Sequence, residues 1–163
     1  MRDAVVQAAR GGLEYGRKLV TDIPPEKMCY QPAFGMNHPT WILGHLAFAN
    51  HNMGSLLGHV ENLPSNWKER FGIGSKPVDD RALYPTKSEM WDTFEGTFLR
   101  AVELMRTAPP EAFEREFPDP KLRALLPTVG AGIVFVLTTH TGTHLGQLSA
   151  WRRVQGLPGV LGM

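Results

Sequence analysis

His140 and His144 stand four residues apart, in a segment whose apolar period reads as a long helix. Side chains at i and i+4 lie one above the other on a single helical face. Both imidazoles therefore point the same way, close enough to share one metal ion. An HxxxH match is short, and taken alone the pair reads equally as two core histidines bonded to neighbours. His45 changes the balance. It falls on the apolar face of another helical stretch, in line with Trp41, Phe48, Asn52 and Leu56. A buried histidine with no partner is costly, and three are easier to explain by a common one. Three neutral imidazoles from two helices leave open positions on a divalent ion, as catalytic centres do and structural ones do not.

The remaining candidates follow from that centre. Gln147 lies one turn beyond His144, and Asn52 one turn beyond Phe48; each suits a bond to a ligand or to backbone. Trp41 and Phe48 belong to the core and could also wall a pocket. Trp41, Phe48, Asn52 and Gln147 are therefore the substrate-pocket candidates. His38 reads as a helix cap or a surface residue, His51 lies off the apolar face, and His59 falls in a loop. Cys29 has no placeable base beside it and reads as structural. The segment is His-Thr-Gly-Thr-His, so the carboxylate base of the His-Glu-x-x-His zinc proteases is missing, which argues against peptide hydrolysis by that route.

Four long helices must position these groups. The first spans about residues 2–21, with Val5, Ala9, Gly12, Leu13, Gly16 and Val20 inward. Gly11, Gly12 and Gly16 each cost about 1 kcal/mol of propensity against Ala, tolerable where a neighbouring helix approaches closely. Pro24-Pro25 ends it. The second follows Asn37-His38-Pro39, a cap and a first-turn proline, and stops near Gly58. Residues 59–86 show no sustained period and read as a crossover joining two helices that run the same way. Thr86-Lys87-Ser88-Glu89 is a capping box opening a third helix to about Thr107, with Met90, Phe94, Thr97, Ala101, Leu104 and Met105 inward. The fourth runs from about Thr128 to Gln155, roughly 40 Å at 1.5 Å per residue. Ile133, Leu137, His140, His144, Leu148 and Trp151 line its buried face, and Arg152-Arg153 suit its negative end.

The bulk properties exclude several classes. The 163 residues suit a single domain over 1–163, and the 42% hydrophobic and 20% charged content is that of a globular protein. A net charge of +1 gives no broad attraction for nucleic acid or anionic membrane. Cys29 is the single cysteine, so no internal disulfide forms. No apolar run approaches the roughly 20 residues of a membrane span, and the N-terminus lacks a secretory signal's apolar core. A cytoplasmic location follows by elimination.

Two stretches together resemble the DinB-like superfamily. Trp41-Ile42-Leu43-Gly44-His45-Leu46 looks like its second-helix signature. His140-x-x-x-His144-x-Gly146-Gln147-Leu148, followed by Arg152-Arg153 and Gly156, looks like its last-helix signature. The resemblance implies an all-α, up-down-down-up four-helix bundle with a long crossover between helices 2 and 3. It implies a divalent metal, zinc or nickel, with iron also compatible, on His45, His140 and His144. Members of known role include S-transferases and isomerases that use low-molecular-weight thiols such as bacillithiol or mycothiol, and homodimers are common. The expected function is thiol S-transfer to a small electrophile, or metal-assisted hydrolysis. The alternatives are a non-catalytic metal or small-molecule binding protein and a structural dimeric bundle. Thr141, Gly142 and Thr143 replace the acidic or bulkier residues often found between the last two histidines, which weakens any acid–base step supplied from there.

Overall fold

A computed structural model describes residues 2–161. Its elements are helical throughout the described residues, apart from one isolated β-bridge between Glu116 and Thr128. The long helices are α1 (Arg2–Thr21), α2 (Pro39–Leu56) and α4 (Lys87–Thr107), followed by a composite last helix. That last helix is α6 (Val129–Phe135), a π-helical turn (Val136–His140) and α7 (Thr141–Val154). Two short helices, α3 (Trp67–Phe71) and α5 (Pro110–Glu114), lie in the connections. Both α1 and α2 pack against α4 and against α7, so each long helix has two long neighbours.

The third helix begins as its capping box dictates. Thr86 Oγ1 accepts from the Glu89 amide at 3.3 Å, and Glu89 Oε2 accepts from the Thr86 amide at 2.7 Å. Thr86→Ala removes half of this reciprocal pair, at about 1 kcal/mol. A fall in melting temperature of about 2–4 °C is expected for a chain of this size, read by thermal melts. The inward face of α4 is shifted from the sequence expectation: Phe98 and Val102 are buried, whereas Thr97 and Leu104 are only half-buried. In α1, Val6 and Leu19 are buried and Val5 is half-buried. The close helix approach expected at the α1 glycines exists at Gly16, where a β-carbon would lie 3.2 Å from Leu145. Open space lies beside Gly11, which has no packing explanation.

Two further features add to what the sequence pattern predicts. The 59–86 stretch is not without structure, because α3 buries Trp67 and Phe71 in the core. Its partner α2 is consequently not a simple amphipathic helix: every residue from Pro39 to Ala47 is buried, as in a helix apolar all round. Arg152 stands in the last turn of α7, as expected, and is buried there. It is 2% exposed, donates to Leu19 O at 2.7 Å and Pro158 O at 3.0 Å, and pairs with Asp22. Lys87 donates to Thr21 O and Ile23 O. Two cations from other helices thus satisfy carbonyls at the C-terminal end of α1, where helical partners run out.

Candidate metal centre

The site begins with Gly44. A β-carbon there would lie 2.3 Å from the Phe71 ring, so only glycine lets α3 pack flat on α2 at this level. That contact places the Phe71 carbonyl 2.7 Å from His45 Nδ1. A carbonyl only accepts, so Nδ1 carries the proton and Nε2 is left with a lone pair. Trp41 stacks on the ring at 4.7 Å and 7° and fixes its plane. The Trp41 indole donates in turn to Ser75 Oγ at 3.1 Å, again from the crossover.

His144 is oriented in the same way from the other helix. Its Nδ1 lies 3.0 Å from Gln147 Oε1, which also accepts from Asn37 Nδ2 at 3.0 Å. His144 Nε2 is thereby left for a ligand. Such partners behind a metal-ligating histidine fix its tautomer and raise its basicity. His140 completes the cluster. Its Nε2 lies 3.1 Å from His45 Nε2, and its buried Nδ1 has no hydrogen-bond partner. Either tautomer leaves one of its nitrogens unpaired.

Ring centroids are 4.7 Å apart for His45–His144 and His140–His144, and 5.0 Å for His45–His140. One nitrogen from each ring lies within 4.8 Å of the others. Tetrahedral zinc with bonds of about 2.05 Å holds its nitrogens about 3.3 Å apart, close to the His45–His140 distance. The donor set fits a borderline divalent cation: three imidazoles and no neighbouring carboxylate.

Burial keeps these imidazoles neutral. Desolvation pushes His140 down to about 3, helped by its two histidine neighbours. It pushes His144 down to about 4, and lowers His45 against the opposing Phe71 hydrogen bond. His38, fully buried, is also pushed to about 4 by desolvation. A base whose folded value lies below its unfolded 6.5 is protonated more readily in the unfolded chain. Stability from these groups is therefore complete above about pH 7, and it is lost as pH falls through 6.5 towards 4. Asp22, lowered mainly by its hydrogen bond to Arg152, acts in a separate window below its ordinary 3.8. Melting temperatures of metal-free protein are expected to drop steadily from pH 7 to pH 4.5. A flat profile across that range would contradict the neutral, buried histidines.

Two of the three rings, His45 and His140, line one end of a groove of about 830 Å³. Its walls come from α2 (Phe48, Ala49, Met53), the crossover (Gly72, Ile73), the 117–126 loop and the last helix (Phe135, Val136). Of the four pocket candidates, Phe48 and Asn52 line this groove. Trp41 is buried behind His45, and Gln147 stands behind His144 on an exposed surface. His51 and His59 lie apart from the centre, beside a small cavity of about 60 Å³, where His59 pairs with Glu61 at 3.1 Å. His38 is the α2 cap, its Nδ1 accepting from the Trp41 amide at 3.0 Å, but it is no surface residue. Cys29 is buried against Thr40.

Sequence reasoning missed the Phe71 carbonyl and the 117–126 wall. Gly44, directly before the histidine in a helix, is the one signal that could have revealed close packing there. The π-helical turn was missed too; the chain was read as one regular helix from Thr128 to Gln155. Thr141 marks it, with amide and hydroxyl both bonded to Val136 O, the hydroxyl at 2.8 Å.

The helices and the histidines together define an all-helical protein with a three-histidine cluster shaped for a divalent ion. The model of the DinB superfamily matches residues 13–148, and the chain belongs to that superfamily. The matched region contains His45, His140 and His144, all of α2 and the part of α7 up to Leu148. No curated protein matches the chain.

Proposed function

We propose that the protein is a divalent-metal-dependent enzyme acting on small molecules, with His45, His140 and His144 as ligands and thiol S-transfer as its reaction. The convergence of three imidazole nitrogens from two helices within 4.8 Å is the observation that carries this reading. Zinc or nickel suits three imidazoles best, and iron(II) is compatible with them. When bound, such an ion is a Lewis acid that keeps a coordinated thiol ionised, or lowers the pKa of bound water, near neutral pH. The protein's part is positioning. Phe71 O and Gln147 Oε1 hold two rings with their Nε2 atoms inward, and the groove holds the electrophile beside them. In the net reaction R–SH and R′–X give R–S–R′ and HX: a C–S bond forms, and the leaving group departs with its electron pair and takes up the thiol proton.

The missing carboxylate between His140 and His144 supports thiol transfer over hydrolysis, because an ionised thiol is already a competent nucleophile and needs no general base at that position. We further propose the up-down-down-up bundle course, one domain over the whole chain, a homodimer and a cytoplasmic location. For the last, no described helix is long and apolar enough to cross a membrane. The test is a panel of low-molecular-weight thiols crossed with electrophiles that carry a leaving group, alkyl halides and sulfonate esters. Turnover that needs added metal and stops with chelator is the expected result. Full metal occupancy without turnover in any pair would leave a metal-binding protein instead.

A further inference from the structure

The groove described above is chemically lopsided. His45 and His140 supply nitrogen at one end, while the walls are mostly apolar, with Asn52 and Ser55 their uncharged polar side chains. The two charged side chains that border it, Lys68 and Asp119, are opposite in sign, so it favours no net charge. Its rim carries Ile73, 88% exposed, and Leu125, 64% exposed, large aliphatic residues that water covers poorly. A volume of about 830 Å³ falls within the range of small-molecule sites, about 300–1,000 Å³. A concave apolar trough ending at a metal-ligand set suits a ligand with one polar end and a long uncharged body. It does not suit a sugar, a nucleotide or a polyanion, whose polar atoms would lose water without finding partners.

We propose that the electrophilic substrate is an uncharged alkyl or aryl compound with a single polar, metal-reaching end, whose body lies along Phe48, Met53, Phe117, Leu122, Leu126 and Phe135. This rests on the metal-centred reading above for the polar end alone; the body is recognised by the groove itself. Selectivity then follows the length and width of the apolar body rather than any charge on it.

The test is calorimetric binding of n-alkyl hydroxamates, from about two to about ten carbons, to zinc-loaded protein. The hydroxamate reports on the metal and the chain on the groove. Each added methylene is expected to tighten binding about three- to fourfold. Ala49→Trp, which fills the trough, should flatten that series. A flat series in the parent, no binding at any length, or a slope unchanged in Ala49→Trp overturns the proposal. Binding that weakens as protein concentration rises, with dimers in sedimentation, also overturns it and gives the groove to a second copy of the chain. The two readings fail separately. Zinc-dependent binding without a slope removes the apolar substrate and leaves the metal centre. Affinities that are the same at every chain length with and without zinc, the slope being kept, remove the metal centre and leave the groove.

Discussion

His144→Ala is expected to take metal content from about one ion per chain to near zero. Two imidazoles from different helices remain, too few for a closed first set of protein ligands on a divalent ion. His144 is the cleanest of the three to remove. His45 is stacked on Trp41 and tied to Phe71, so its loss disturbs packing as well. His144 has a Gln147 partner that is solvent-exposed and can find water when the imidazole is gone. The second readout is stability. An ion at a hundred times its Kd stabilises the native chain by about 2.7 kcal/mol, which is about 5–10 °C in melting temperature for a chain of this size. The parent should show that shift on adding zinc and lose it with chelator, and His144→Ala should show neither. Protein purified without a histidine tag, with His59→Ala as control, makes the comparison specific. Equal metal in parent and His144→Ala would remove the centre.

Gly44→Ala is expected to be nearly as damaging, although it touches no ligand directly. The new methyl would sit 2.3 Å from the Phe71 ring, so Phe71 must move. Phe71 is fully buried, and overpacking of this kind costs about 1–3 kcal/mol. Moving Phe71 also withdraws the carbonyl that sets the His45 tautomer. Loss of such a partner typically weakens metal binding about 10–100-fold. Chelator competition on the folded variant should show the affinity loss, and a denaturant melt the lost stability. A variant with parental zinc affinity would mean that the Phe71 carbonyl does not orient the ring. Gly11→Ala, with open space around it, is the matched control and should be neutral or slightly stabilising.

Much of this arrangement was legible in the sequence, for identifiable reasons. The capping box at Thr86, the proline pairs and the positive-φ glycines Gly58 and Gly156 are local signals, and local hydrogen bonds or backbone sterics decide them. The histidine spacing was legible because helical periodicity converts directly into a shared face. What could not be read was whatever a distant segment decides. Trp67 and Phe71 carry too little period over five residues to announce a helix, and its place on Gly44 is a tertiary choice. The Val-, Ile- and Thr-rich stretch before His140 reads as regular helix or as strand by pattern, since a single wide turn leaves no periodic trace. The 117–126 wall of the groove has no pattern of its own and gains its role from what lies opposite.

That wide turn, Val136–His140, uncouples the two halves of the last helix. One residue more than an α-turn holds rotates everything upstream by about 100° relative to everything downstream. Phe135 and Val136 line the groove, whereas Leu145 and Leu148, beyond the turn, face the hydrophobic interior. Deleting Thr139, an exposed residue within the turn, would therefore act less as a shortening than as a twist. It would keep His144 in register with the interior while swinging the groove's far wall aside and turning Ile133 and Leu137 out of the core, so that packing of the upstream half and shape of the groove are lost together.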